Sequence, residues 1–148
     1  MTGAEPAEPY RIVVAEGIPE LDQRLSAELD KVNAAATPGV AAAREVSVRI
    51  LYDTGELAAG MSGWTWGVAA GIALTWVHPD MQGRGLGSRL LAAFESEARN
   101  RGCRHVFVTS FTFQAPDFYK KHGYREIFRW DGVPTPGEAD IHLRKELV

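Results

Sequence analysis

Cysteine is almost absent from the 148-residue chain, and its scarcity excludes two kinds of site. The single cysteine, Cys103, forbids an internal disulfide and cannot supply the thiolates of a structural zinc site. The spacings of the histidines match no zinc signature either; these are His78, His105, His122 and His142. We therefore expect no metal, and we expect Cys103 to be a small buried or half-buried residue rather than a nucleophile.

Long apolar runs and concentrated positive charge are also missing. No apolar stretch is long enough to cross a bilayer, and no secretory h-region is present. The net charge is -3, without a long basic run or an RNA-binding signature. These absences predict a soluble, cytoplasmic protein that acts neither on nucleic acid nor at a membrane.

The length and a hydrophobic content of 45% suffice for one domain with its own core. Residues 1–9 contain two prolines among small and acidic residues, which predicts a flexible N-terminal tail. No domain boundary or internal repeat is visible after it, so residues 10–148 are predicted to form a single domain.

Hydrophobic periodicity predicts a mixed α/β order of elements. A first helix is expected from an apolar stripe at Leu21, Leu25, Leu29 and Val32, and a hairpin turn at 53–56. Further helices are predicted after Gly85 and at 115–122. Strands are predicted at 10–14, 45–52, 57–66, 71–77, 104–110, 124–130 and 139–145.

The segment Gln82-Gly83-Arg84-Gly85-Leu86-Gly87-Ser88 lies where a strand pattern gives way to a helical one. The helical spacing is carried by Leu86, Leu90, Leu91, Phe94 and Ala98, so the glycines lie at or beside a helix N-terminus. Such a terminus offers unpaired backbone N–H groups and the positive end of the helix dipole, and glycines let a diphosphate come close. Arg84 and Arg89 can add positive charge.

Two familiar phosphate motifs do not fit this segment. A Walker loop needs Gly-Lys-Ser/Thr, which the chain lacks. The dinucleotide fingerprint fails because Ser88 or Leu90 occupies the position of its third glycine. The remaining pattern, Gln82-x-x-Gly85-x-Gly87, resembles the acetyl-CoA pyrophosphate motif of the GNAT N-acetyltransferase superfamily. The alternative is an ordinary glycine-rich strand-to-helix turn.

A second block makes the resemblance more specific. Ala115, Phe118, Tyr119, Gly123 and Tyr124 match the superfamily's late-helix pattern, Ala-x-x-Phe-Tyr-x-x-x-Gly-Phe/Tyr. One predicted helix and one predicted strand separate the blocks, as in the superfamily. The resemblance implies a single-domain α/β (α+β) fold with a mixed, mostly antiparallel central sheet, flanked by helices and splayed between the fourth and fifth strands.

The resemblance also implies acetyl-CoA as co-substrate and assigns residues to it. Tyr119 would act as general acid toward the departing CoA thiolate, although it could instead be a core aromatic. The backbone of Trp76 and Val77 would bind the pantetheine arm, and the same stretch would supply the oxyanion donors. Gln82 would brace the loop. The pyrophosphate would meet main-chain N–H groups of Gly83, Arg84, Gly85, Gly87 and Ser88.

The general base and the acceptor are the open questions. Many relatives carry a carboxylate on the strand before the loop, but Ile72 to Thr75 offers none. A solvent-exposed amine can instead lose its proton to water before it binds. Asp131, Glu138 and Asp140 near the last connection could attract a cationic amine, or could form a solvated acidic loop.

Three functions follow from these observations. The leading one is an acetyltransferase that acts on a primary amine of a small molecule by direct transfer. The alternatives are a protein lysine or N-terminal acetyltransferase and a non-catalytic acetyl-CoA-binding module. Dimers are frequent in the superfamily, so a homodimer is a further expectation.

Overall fold

The computed structural model describes Gly3 and residues 9–148, so most of the predicted tail at 1–9 lies outside the described residues. Within them, the chain forms three α-helices and six strands, with a short 3-10 turn at Pro79–Met81. The helices are α1 (Pro19–Ala36), α2 (Leu86–Asn100) and α3 (Pro116–Lys121). The strands are β1 (Arg44–Leu51), β2 (Leu57–Trp66), β3 (Ala69–Val77), β4 (His105–Phe111), β5 (Arg125–Asp131) and β6 (Ala139–Glu146).

The six strands form one sheet in the order β1-β2-β3-β4-β6-β5. Every neighbouring pair is antiparallel except β3 with β4, which run parallel because α2 connects them. The predicted hairpin turn at 53–56 joins β1 to β2, with the Tyr52 N–H donating to the Glu56 carbonyl at 2.9 Å. The mixed, mostly antiparallel sheet is therefore confirmed.

The prediction of a strand at Tyr10–Val14 is wrong. This segment has no regular secondary structure, and Ile12 and Val14 are 92% and 91% exposed. Aromatic and β-branched residues favour a strand only where a pleated partner surface covers them. No strand of the described sheet pairs with residues 10–14, so the local preference is not realised.

The first helix is confirmed, but its apolar stripe is not buried. All of α1 is outside the core, and Leu21, Leu25, Leu29 and Val32 are each about half exposed. Pro19 at its start and acidic residues in its first turn suit a helix N-terminus. Exposed pairs of Glu28 with Arg24 and Lys31 add a few tenths of a kcal/mol, roughly. No described helix is long and apolar enough to span a bilayer.

The core lies between α2 and one face of the sheet. The five residues of the predicted α2 stripe are all buried: Leu86, Leu90, Leu91, Phe94 and Ala98. They meet buried residues of the sheet that include Val46, Met61, Ile72, Val108 and Leu143. Cys103 is buried as expected, and burial raises the pKa of its thiol, which keeps it protonated.

A β-bulge interrupts the pairing of β2 with β3. Ser62 lies opposite Leu74 and Gly63 lies opposite Ile72, so Ala73 has no partner on β2. One extra residue reverses which side chains of a strand face the core.

The bulge changes the surface that β3 presents beyond it. Before the bulge Ala70 and Ile72 are buried against the core, whereas after it Val77 packs there. Leu74 and Trp76 are consequently exposed on the other face. The bulge therefore brings Thr75 to the α2 side of the sheet, where its hydroxyl lies 3.1 Å from the Tyr119 hydroxyl.

Gly63 is expected to be essential for this irregular pairing. A Cβ at Gly63 would lie 1.9 Å from the Gly71 carbonyl oxygen, a backbone atom that cannot move without breaking the sheet. We predict that Gly63→Ala lowers the free energy of unfolding by about 3 kcal/mol or more, as in severe overpacking. Urea unfolding followed by circular dichroism measures the difference.

Gly60→Ala on the same strand is the matched control. Its added Cβ would meet its nearest atom at 3.6 Å, an ordinary van der Waals contact, so we expect no loss of stability. Equal unfolding free energies for the two variants would show that the bulge tolerates a side chain and that the steric argument is wrong.

Candidate functional site

A cavity of about 900 Å³ opens where β3 and β4 cease to pair. Their parallel ladder ends with Ile72 opposite Val108, although β3 continues to Val77. Among the described residues, the edge of β3 that faces β4 therefore has no strand partner over residues 73–77. An unpaired strand edge inside a sheet can bind an extended chain by main-chain hydrogen bonds. These two strands are the fourth and fifth of the seven predicted, and their splay stays a prediction.

Tyr119 lies against this cavity with its side chain 4% exposed. Its hydroxyl lies 3.1 Å from Oγ1 of Thr75, and its ring makes edge-to-face contacts with Phe118 and Tyr124. Burial raises the pKa of Tyr119, and the hydrogen bond to Thr75 opposes this more weakly. The hydroxyl is thus kept protonated and oriented beside the open edge of β3.

A buried ionic cluster fixes the neighbourhood of Tyr119. The Tyr124 hydroxyl donates to Glu95 of α2 at 2.9 Å, and Lys145 of β6 donates to the same carboxylate at 2.8 Å. Glu95 is only 5% exposed, so the carboxylate depends on both donors. Burial and the Glu95 charge strongly raise the pKa of Tyr124, which therefore remains a donor. The cluster joins α2, β6 and the end of α3.

Sequence reasoning missed this cluster, although one signal was present. Glu95 falls within the apolar stripe of α2, between Leu91 and Ala98, where a carboxylate is uncommon unless it has a buried partner. The partners come from residues 29 and 50 positions away in the chain, so no local pattern identifies them.

The glycine segment forms the turn that leads from β3 into α2. Gly85 is the residue that precedes the helix, in the left-handed conformation with φ of 78°, and no side chain of residues 9–148 caps the first turn. The N–H groups of that turn are therefore available to a ligand. Gln82 donates from Nε2 to the Val77 carbonyl at 3.4 Å, which ties the loop to the end of β3.

Packing against Phe118 favours glycine at position 87, in addition to the predicted approach of a phosphate. A Cβ there would lie 3.3 Å from Cζ of Phe118, closer than most real contacts. The small residue lets α2 and α3 approach each other beside the cavity. The motif position predicted for phosphate binding thus also determines how the two helices pack.

The predicted site residues divide into two groups. Those that line the cavity are Trp76, Val77, Gln82, Gly87 and Tyr119. Those on the adjoining loop and first turn of α2 are Gly83, Arg84, Gly85 and Ser88. Residues that were not predicted as site residues also line the cavity, among them Thr75, Thr109, Ser110 and the motif residue Phe118. Gln114 accepts from the Phe111 N–H at 2.9 Å and so stabilises the turn after β4.

The three acidic residues proposed to attract an amine do not form one cluster. Asp140 lies 3.1 Å from Nε2 of His142, and Glu138 accepts a hydrogen bond from Thr112. Asp131 lies opposite Ala139, so it faces the side of the sheet opposite to that of Asp140. Within the described part of the chain, no three His, Cys, Asp or Glu residues form a group that could hold a metal ion. A metal-free reaction stays a prediction.

Comparison with known proteins agrees with this geometry. A family model described as "Acetyltransferase (GNAT) domain" matches residues 44–126, which include both motif blocks. Blasticidin-S acetyltransferase of Streptomyces morookaense is 40% identical over 112 residues, covering 71% of this chain and 79% of that protein.

Solved structures show the same fold. An acetyltransferase from Bacillus cereus has a TM-score of 0.77 at 29% identity, covering 92% of this chain and 98% of that one. An aminoglycoside 6'-N-acetyltransferase complexed with coenzyme A has a TM-score of 0.63 at 17% identity, covering 91% and 95% of the two chains.

Proposed function

Because the chain belongs to the GNAT acetyltransferase family, we propose that it transfers the acetyl group of acetyl-CoA directly to a primary amine of a small molecule. The observation that carries this proposal is the unpaired edge of β3 beside the buried hydroxyl of Tyr119. The edge and the hydroxyl lie on one cavity, and the glycine segment, which begins at Gln82, directly follows the 3-10 turn after β3.

Successive residues along β3, the glycine loop and α2 can bind successive parts of acetyl-CoA, from the pantetheine arm to the diphosphate. The open backbone at Trp76 and Val77 can hydrogen-bond the amides of the pantetheine arm as a neighbouring strand would. The first-turn N–H groups of α2, together with Gly83 and Arg84, can hold the diphosphate. Gln82 joins these two regions because its amide contacts the end of β3.

Tyr119 and the β3 backbone can then stabilise the charges that develop during transfer. Backbone N–H groups of the unpaired edge would donate to the oxyanion that forms when the amine attacks the thioester carbonyl. Tyr119 would donate to the sulfur as the carbon–sulfur bond breaks. Because burial raises the pKa of Tyr119, complete loss of its proton to the thiolate is unfavourable, and a strong hydrogen bond suffices. The proton released by the acylated amine neutralises the thiolate.

The general base of this proposal is water. Among the described residues that line the cavity, none is Asp, Glu or His. An amine in solution is partly neutral below its own pKa, so the protein can select the neutral form without a dedicated base. The reaction rate should therefore rise with pH until the acceptor amine is fully deprotonated.

A small acceptor is supported by the relatives and by the size of the cavity. The protein at 40% identity is a blasticidin-S acetyltransferase, and a fold neighbour is an aminoglycoside 6'-N-acetyltransferase. A volume of about 900 Å³ falls in the usual range of small-ligand sites. Transfer to a protein lysine or N-terminus, or acetyl-CoA binding alone, are the competing functions. Homodimerisation and a cytoplasmic location stay predictions.

An acceptor panel read by release of free CoA thiol tests the function. We expect thiol release with acetyl-CoA and at least one small amine from a panel of blasticidin S, aminoglycosides, diamines and amino-acid amines. Release with peptides or with transfer RNA alone would contradict the small-molecule proposal. Calorimetric binding of acetyl-CoA without release for any acceptor would favour a binding module, and absence of binding would refute the proposal altogether.

A further inference from the structure

His122 ends α3 beside the first turn of α2, where the proposed function puts the diphosphate. Its Nε2 lies 3.0 Å from Oγ of Ser88, the third residue of α2, and its Nδ1 lies 2.8 Å from the Phe118 carbonyl oxygen. Both side chains are half-buried, so neither is a freely rotating surface group. The ring also packs on Phe118, with ring centroids 4.6 Å apart. The imidazole is therefore held in one orientation against Ser88.

The hydrogen-bond partner of Nδ1 determines whether Nε2 of the neutral ring accepts or donates a hydrogen bond. A carbonyl oxygen only accepts hydrogen bonds, so Nδ1 must carry a proton. In the neutral ring Nε2 then has a lone pair, and it accepts the hydroxyl proton of Ser88. The hydroxyl is consumed by this bond and presents only oxygen lone pairs to a phosphate. In the imidazolium form Nε2 donates instead, and the Ser88 O–H becomes free to donate elsewhere.

We propose that Ser88 and His122 form a relay that binds the diphosphate of acetyl-CoA, with His122 as imidazolium and the Ser88 hydroxyl directed at a phosphate oxygen. This inference rests on the proposed function, because it takes the first turn of α2 as the phosphate site. It adds to the main-chain N–H groups one side-chain donor and one positive charge, neither of which the glycine motif specifies. An anion beside the ring favours its protonated form, so binding takes up a proton.

The charged neighbours of the relay along the chain are Arg89, which follows Ser88 on α2, and Lys121, which precedes His122 on α3. Lys145 of β6, which is paired with Glu95, lies beside Gly123. Lysine and arginine side chains are cationic throughout the interval in which histidine side chains change their charge. Because His78 also precedes the glycine loop, the variants below decide whether a pH dependence in that interval comes from His122.

The test is the dissociation constant of 3'-dephospho-acetyl-CoA between pH 5.5 and 8.5, measured by calorimetry. This ligand is chosen because the 3'-phosphate of CoA titrates near pH 6, whereas the diphosphate keeps its charge. We expect binding to weaken about tenfold as the pH rises, the value of one charge-assisted hydrogen bond. Acetyl-pantetheine, which lacks the diphosphate, should show no such change.

Variants of Ser88 and His122 test whether these two residues cause the pH dependence of the dissociation constant. His122→Gln should bind the ligand independently of pH, with about the affinity that the wild type has at pH 8.5. Ser88→Ala loses the hydroxyl donor but keeps the imidazole, so it should bind more weakly than the wild type at low pH and show a smaller pH dependence. His122→Asn retains an amide donor for the Phe118 carbonyl and serves if the Gln variant does not fold. Lys121→Gln removes a neighbouring charge as the matched control, and it should lower the affinity equally at every pH.

The results that would refute the relay differ from the results that would refute the proposed function. If the wild type binds the dephospho ligand with one affinity at every pH, or if His122→Gln keeps the pH dependence, the relay is wrong while acetyl-CoA binding stands. If the wild type binds neither this ligand nor acetyl-CoA at any pH, the proposed function and the relay are refuted together.

Discussion

Tyr119→Phe should lower kcat for acetyl transfer by about 100- to 1,000-fold, the loss expected when one positioned hydrogen-bond donor to a developing negative charge is removed. The substitution removes only the hydroxyl, which lies 3.1 Å from Thr75 at the edge of the cavity. The ring and its contacts with Phe118 and Tyr124 are kept, so the affinity for acetyl-CoA should change by less than about twofold. Steady-state thiol release and calorimetric titration measure the two quantities.

Tyr124→Phe is the matched control for this prediction. Tyr124 is equally buried, but its hydroxyl donates to Glu95 rather than facing the cavity. Losing a hydrogen bond to a charged group should cost about 2 kcal/mol of stability while leaving kcat within a few-fold of the wild type. If Tyr119→Phe kept full kcat, or if both variants lost activity equally, Tyr119 would be a core aromatic and the proton-donor role would be wrong.

Elements with strong internal periodicity could be predicted from the sequence. The β2 strand has the predicted bounds because the predicted hairpin turn returns it against β1, and the apolar stripe of α2 is buried as expected because that face of the helix packs against the core. Residues 10–14 have comparable strand preference but no partner strand within the described residues, and tertiary context outweighed propensity. Periodicity therefore predicts an element where the fold supplies a surface for it to cover.

The site could be predicted only where a motif is continuous in sequence. The glycine loop and Tyr119 were predicted as site residues in this way, and Gln82, Gly87 and Tyr119 line the cavity. Thr75 was not predicted, because its orientation depends on a bulge that shifts β3 by one residue. A glycine within a strand, here Gly63, can mark a bulge, but it does not show which residue of the partner strand is left unpaired. The Ser88–His122 contact joins residues 34 positions apart, and only the packing of α3 on α2 brings them together.

The packing of α3 on α2 also determines which residues line the cavity. Val77 and Tyr119 belong to elements on either side of the glycine loop, and Gly87 lets α3 approach closely enough for Phe118 and Tyr119 to reach the cavity. A glycine there allows close helix packing and would also allow the proposed approach of a phosphate. Substitution of Gly87 would confound the two, so a test of phosphate binding needs a different glycine.

Gly85→Ala should weaken acetyl-CoA binding by about 10- to 100-fold. Gly85 has a positive φ of 78° and directly precedes α2, and an added Cβ would meet no atom of the described residues within 4 Å apart from its chain neighbours. The methyl group would therefore occupy open space at the helix N-terminus, where we propose that the diphosphate lies. The left-handed backbone also disfavours alanine by about 1 kcal/mol, which lowers the stability of the protein as well.

Gly102→Ala separates these two effects, because it imposes the same backbone strain just beyond the other end of α2. Gly102 has a φ of 86° and likewise has no atom within 4 Å of an added Cβ, but it does not line the cavity. Both variants should lose similar free energy of unfolding, and only Gly85→Ala should lose affinity in calorimetric titration with acetyl-CoA. Equal affinities for the two variants would mean that the diphosphate does not approach the start of α2, since strain alone would then account for every change.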